Sequence, residues 1–186
     1  MKNNNDTLLL TLLVLLGVCS VALRLLPHAP NFAPIGAFAL FVGLYASKRS
    51  WFIAPFVVML ASDFLIGFYN WKIMLVVYFG FLIYMLIGRI VKYNKSFMTV
   101  MGGIFGAALL FYLTTNFAVW AFGSLYPRTF SGLILSYEMA LPFFRNSLFS
   151  DLFYVGVFVG TYELAFKIFP ILLQKTKSIL CIRSVI

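Results

Sequence analysis

The chain has 186 residues, of which 63% are hydrophobic and only 10% charged, with a formal net charge of +9. So little charge cannot cover a soluble surface, and the length suits one domain, which excludes a membrane anchor joined to a separate soluble catalytic domain. The basic excess would suggest nucleic acid in a soluble protein. Here Lys and Arg gather at the ends of apolar runs, where they set orientation and meet anionic lipid, so the expected partner is the bilayer and not nucleic acid.

A membrane crossing takes about 20 apolar residues. The sequence therefore reads as all-α, a polytopic membrane helix bundle forming a single transmembrane domain over 1–186, with six spans near 7–26, 35–47, 52–69, 73–91, 97–122 and 146–169. The first span imitates a signal peptide in having Lys2 before an apolar run, but the run extends to Leu26, too long for a signal core. Pro27, Pro30 and Pro34 then forbid a helix and leave a loop that carries His28 and Asn31. Span two is short and rich in small residues, with Gly36, Ala37, Ala39, Gly43 and Ala46 ahead of Lys48 and Arg49.

Span three carries Asp63. An ionised carboxylate in the bilayer costs several kcal/mol unless paired or hydrated, which makes it a functional-site candidate by default. Tyr69 and Trp71 follow at headgroup level, and span four ends in Arg89, Lys92 and Lys95. Span five has Gly102, Gly103, Gly106 and Ala107 as a face for helix packing, then Thr114, Thr115, Asn116 and Trp120. The connection over 123–145 breaks at Pro127 and holds a short apolar stretch, Ser131 to Leu141, closed by Pro142. That stretch is expected to be an interfacial or re-entrant helix. Span six contains Asp151 and Glu163, the latter spaced to pair with Lys167. Cys19 lies in the first span and Cys181 in the basic tail, so no disulfide is expected between them.

Ten basic residues fall on one side of this arrangement: Lys2, Lys48, Arg49, Arg89, Lys92, Lys95, Lys167, Lys175, Lys177 and Arg183. Four fall on the other: Arg24, Lys72, Arg128 and Arg145. The positive-inside rule then puts both termini in the cytoplasm. With that orientation Asp63, Asn116 and Asp151 lie five or six residues from the outer ends of their spans, all about 9 Å deep. Such one-sided polarity suits an outward-facing pocket, with Asn31, Asp63, Asn116, Trp120, Arg145 and Asp151 as candidate ligand-binding residues. The competing reading makes the carboxylates structural partners of Arg24, Arg128 or Arg145, and Asn116 a buried amide that bonds another helix.

One His with scattered carboxylates does not make a metal site, and no cofactor is expected. Neither His-Glu-x-x-His, Gly-x-Ser-x-Gly nor a phosphate-binding Gly-Lys-Ser is present, so the chain is not expected to be an enzyme.

Asn31-Phe32-Ala33-Pro34-Ile35-Gly36-Ala37, Ser62-Asp63, Thr115-Asn116-Phe117, Tyr126-Pro127 and Pro142-Phe143-Phe144-Arg145-Asn146 resemble a family of uncharacterised bacterial integral membrane proteins of this length. That resemblance implies a multi-pass protein of the bacterial inner membrane and brings no assigned activity. More loosely, the six spans and outward polar pocket are similar to the substrate-binding subunits of energy-coupling-factor vitamin transporters. The likeness implies a small-molecule solute and a transporter coupling subunit as partners. Those subunits dock through small residues in the first span, commonly Ala-x-x-x-Ala; here the nearest such pattern is Ala39-x-x-x-Gly43 in span two. The expected function is thus an inner-membrane protein that binds a small solute from the outer face, as the substrate-binding component of a transporter. The alternative is a structural membrane protein of the envelope with no ligand.

Overall fold

A computed structural model describes residues 2–183, with side chains for residues 5–168. Six α-helices follow one another: α1 (Lys2–Leu25), α2 (Ile35–Tyr45), α3 (Ala54–Ile66), α4 (Trp71–Val91), α5 (Phe97–Phe122) and α6 (Phe130–Arg183). A 3-10 turn at Arg49–Ile53 leads into α3, and no strand occurs among the described residues. The all-α expectation is met. Cys181 and the basic tail beyond Lys167 lie outside the residues with described side chains.

Five helical segments are long and apolar enough to cross a membrane, rather than the six expected: Asn5–Leu25, Arg49–Ile66, Trp71–Val91, Phe97–Phe122 and Phe130–Ile168. The exception is α2. Its 11 residues rise only about 16 Å, half of a hydrocarbon core of about 30 Å. All of its residues are buried, because the other helices enclose it. That is why its sequence is apolar without a polar stripe.

Small residues let α2 into that position. A side-chain carbon on Gly43 would strike the Met85 carbonyl oxygen, and one on Gly88 would strike that of Leu40, so the α2 and α4 backbones touch. Gly43 of Ala39-x-x-x-Gly43 is consumed in this contact, and both residues are buried. The glycines expected to form a packing face on α5 are mostly unused. Nothing lies within 4 Å of a carbon added at Gly102 or Gly106, and only Gly103 is pressed, against Val91.

One end of the bundle gathers charge. Asp6 pairs with Lys48 at 3.5 Å and accepts a hydrogen bond from Ser47 at 3.2 Å. Lys92 donates to the Ala46 carbonyl, and Tyr45 donates to Glu163 at 3.1 Å rather than leaving it to an ion pair with Lys167. At this end α1 and α2 are level. Since α1 is 24 residues long and α2 only 11, the connection over 26–34 must descend into the bundle to reach Ile35. The proline-rich loop therefore stays exposed over 26–31 and turns into the bundle over its last residues, Phe32 to Pro34. Donors from α6 hold its backbone. Asn146 donates to Pro30 O, Ser147 to Asn31 O and Ser150 to Ala33 O. Asn31 has φ 61°, a conformation that Asn tolerates better than most residues.

The segment over 123–145 also differs from expectation. No separate interfacial or re-entrant helix forms there; the connection is seven residues, and α6 runs from Phe130 through Pro142 without ending. Pro142 removes one helical hydrogen bond, a loss that neighbouring helices make tolerable within a membrane. Span three stops earlier than expected, at Ile66, because Gly67 adopts φ 113°, open to glycine alone at little cost.

Candidate functional site

Asp63 faces α1. Its Oδ1 lies 2.8 Å from Arg24 Nη1, and its Oδ2 accepts from Tyr78 at 3.0 Å. Arg24 also donates to Ser62 Oγ at 2.5 Å. The carboxylate is 1% exposed and the guanidinium 18%. Each charge thus has an opposite charge and a neutral partner, the condition under which a buried pair persists. Tyr69, on the turn between α3 and α4, lies near enough to feel the pair. Its phenol is pushed up to about 12, by burial first and then by Asp63, with Arg24 opposing.

Beneath this turn a cavity of about 360 Å³ opens between all six helices, within the range of roughly 300–1,000 Å³ common for ligand sites. Its lining mixes polar groups, Asn31, Thr115, Asn116, Ser147 and Asp151, with aromatic rings, among them Phe81, Phe111, Tyr112, Phe143 and Phe144. The rings pack on one another, with Phe81 to Phe111 at 5.3 Å between centroids and Tyr112 to Phe144 at 4.9 Å.

Asp151 closes the deep end. It is 3% exposed and accepts the Tyr84 hydroxyl at 2.5 Å and the Ala37 backbone N–H. Ala37 stands in the first turn of α2, whose N-cap is Pro34, a residue with no side-chain cap. A carboxylate from α6 therefore supplies the cap that α2 lacks, at the positive end of its dipole. Gly36 makes room, since a side-chain carbon there would lie 2.6 Å from Asp151 Oδ1 and 3.1 Å from the Tyr84 ring.

Asn31, Asn116 and Asp151 all line the cavity, whereas Asp63, Trp120 and Arg145 are not among its lining residues. Asp63 stands behind Arg24, which does line it. Trp120 turns away and donates to Pro127 O at 3.0 Å. Arg145 is exposed; six residues before Asp151 on one continuous helix, it points about 120° away. The common depth is also corrected. Tyr84 lies six residues further along α4 than Tyr78, so Asp151 sits about 9 Å deeper than Asp63. The cause is the early start of α6 at Phe130, which puts Asp151 in mid-helix instead of near its beginning. Asn116 donates to Tyr112 O of its own helix at 2.8 Å, not to another helix.

Tyr84 and Phe111 were absent from the sequence candidates. A tyrosine in the middle of span four was the available signal, because a hydroxyl at that depth needs a partner. Phe111 gave none, being one of 22 phenylalanines.

No curated protein and no solved structure matches this chain. A family model described as a family of unknown function, DUF6580, matches residues 1–172. Over that length of match the chain belongs to DUF6580, and its five long apolar helices give it the helical architecture of a membrane protein.

Proposed function

We propose that this protein binds a small solute in the cavity between the six helices, reached from the end at which Tyr69 lies, as the substrate-binding component of a membrane transporter. The observation that carries the reading is the cavity itself: a partly open space of about 360 Å³ lined by both polar groups and aromatic rings. Bundle interiors are otherwise filled to near-crystalline density, so a void of this size lined by Asn116, Thr115 and Asp151 supports a ligand. No nucleotide-binding motif occurs in the sequence, so energy would come from a partner or a gradient. A coupling subunit would have to dock on an exposed face, since Ala39 and Gly43 are buried.

The second reading, a ligand-free structural protein, is favoured by Asp63. Its full pairing to Arg24 and Tyr78 explains that carboxylate without a solute. A thermal-shift screen of solutes on the detergent-purified protein separates the two. A ligand at 100 times its Kd should stabilise the folded state by about 2.7 kcal/mol, and Asn116→Leu, which replaces a polar lining group by an apolar one, should abolish that gain. A screen without any stabilising solute would leave the structural reading.

A further inference from the structure

The charges that border the cavity do not balance. Arg24 lines it but is neutralised by Asp63 at 2.8 Å. Asp151 lines it with two neutral donors, the Tyr84 hydroxyl and the Ala37 N–H. The N-terminus of α2 adds the equivalent of roughly half a positive charge, short of compensating a full negative one. Among the described residues the ion pairs are Arg24 with Asp63 and Lys48 with Asp6, and neither includes Asp151. A buried carboxylate without a counter-charge takes either a proton or a cation.

The surroundings favour a cation with organic substituents. Tyr84, bonded to Asp151, has its ring 6.0 Å from that of Phe111 and 6.3 Å from that of Phe81, so three aromatic rings pack together, one of them on the carboxylate. All three line the cavity. Ring faces attract ammonium groups within about 6 Å, by roughly 0.5–2 kcal/mol each depending on desolvation. An anionic solute would meet Asp151 and find its one nearby cation, Arg24, already held by Asp63.

Building on the solute-binding reading, we infer that the cavity takes a small organic ammonium ion, with its charged nitrogen between Asp151 and the Phe81, Tyr84 and Phe111 rings and its body toward Asn116 and Thr115. Selection by charge follows from the carboxylate, and tolerance of alkyl groups on the nitrogen follows from the rings.

The test uses the full chain in lipid nanodiscs and four probes: choline, its neutral isostere 3,3-dimethylbutan-1-ol, phenethylamine and phenylacetate. Calorimetry and thermal shift should show both cations binding at least about tenfold more tightly than the alcohol or the acid, the factor that ~1.4 kcal/mol gives. Asp151→Asn keeps one accepting oxygen for the Ala37 N–H and can donate its amide to the Tyr84 hydroxyl oxygen, and should erase the preference between choline and its isostere. Because that variant also touches the α2 cap, Phe111→Leu serves as a second probe; it should weaken choline severalfold and leave the alcohol nearly unchanged. Tighter binding of the alcohol or of phenylacetate, or a cation preference that survives both substitutions, overturns the ammonium assignment and leaves the solute-binding reading intact. A wider screen with no binder at all removes both.

Discussion

The two intramembrane aspartates do different work, and their neighbours decide which. Asp63 has a guanidinium at 2.8 Å; Asp151 has a phenol and a helix N-terminus. Asp63→Asn leaves Arg24 as a half-buried cation with no counter-charge, and breaking one side of such a pair costs about 3–5 kcal/mol. A marked fall in the unfolding temperature of the purified protein is therefore expected, with partial recovery when Arg24→Met and Asp63→Leu are combined. An Asp63→Asn protein as stable as the parent would show the pair to be idle. At Gly36 the expected effect is on the second aspartate. Gly36→Ala puts a carbon within 2.6 Å of Asp151 Oδ1, so the carboxylate must shift and its hold on the α2 N-terminus should weaken. Loss of such a cap costs about 1 kcal/mol, which the same melt should register, and solute binding should weaken with it.

Among the elements, α2 is the one on which the site depends. It begins in mid-bundle because the preceding connection descends, and its N-terminus therefore points into the cavity wall instead of into a headgroup region. The α2–α4 backbone contact at Gly43 and Gly88 holds it there. Gly43→Ala and Gly88→Ala should each destabilise by about 1–3 kcal/mol, the usual cost of overpacking, or more where the backbone cannot part. Gly106→Ala meets open space and should be neutral or stabilising by up to about 1 kcal/mol, from helix propensity alone. Denaturation series on the three variants check the contrast; equal effects would remove the special role of the α2–α4 contact. Paired cysteines at Pro30 and Asn146 should also crosslink, because the Asn146 amide reaches Pro30 O at 3.0 Å. Failure to crosslink would separate that loop from α6.

For the molecule as a whole, charge is segregated. Lys48, Lys92 and Lys95 gather where Asp6 and Tyr45 lie, with Lys95 3.9 Å from the centre of the Tyr45 ring. Lys92 is held below its usual pKa, by burial first and then by Arg89 and Lys95. A cytoplasmic leaflet rich in anionic lipid would relieve that repulsion. Reporter fusions after Lys95 and at the C-terminus should accordingly both report the cytoplasm, and a periplasmic signal from either would reverse the side from which the cavity is reached.

Hydrophobic run length, positive-charge bias and proline placement act locally along the chain, and from them the sequence alone determined an all-helical membrane architecture, the bounds of α5 and the anomaly of Asp63 and Asp151. It could not say that Arg24 rather than Arg145 would meet an aspartate. That depended on α6 beginning at Phe130, which rotates Arg145 about 120° from Asp151 and sets Asp151 deeper than Asp63. Nor did composition distinguish a short spanning helix from an enclosed half-helix, since both are apolar and small-residue-rich. Only the tertiary structure decided that α2 starts inside the bundle, because its depth is fixed by backbone contact with α4 and by hydrogen bonds from α6 to the connection before it, interactions between residues some 45 to 120 positions apart that no local pattern encodes.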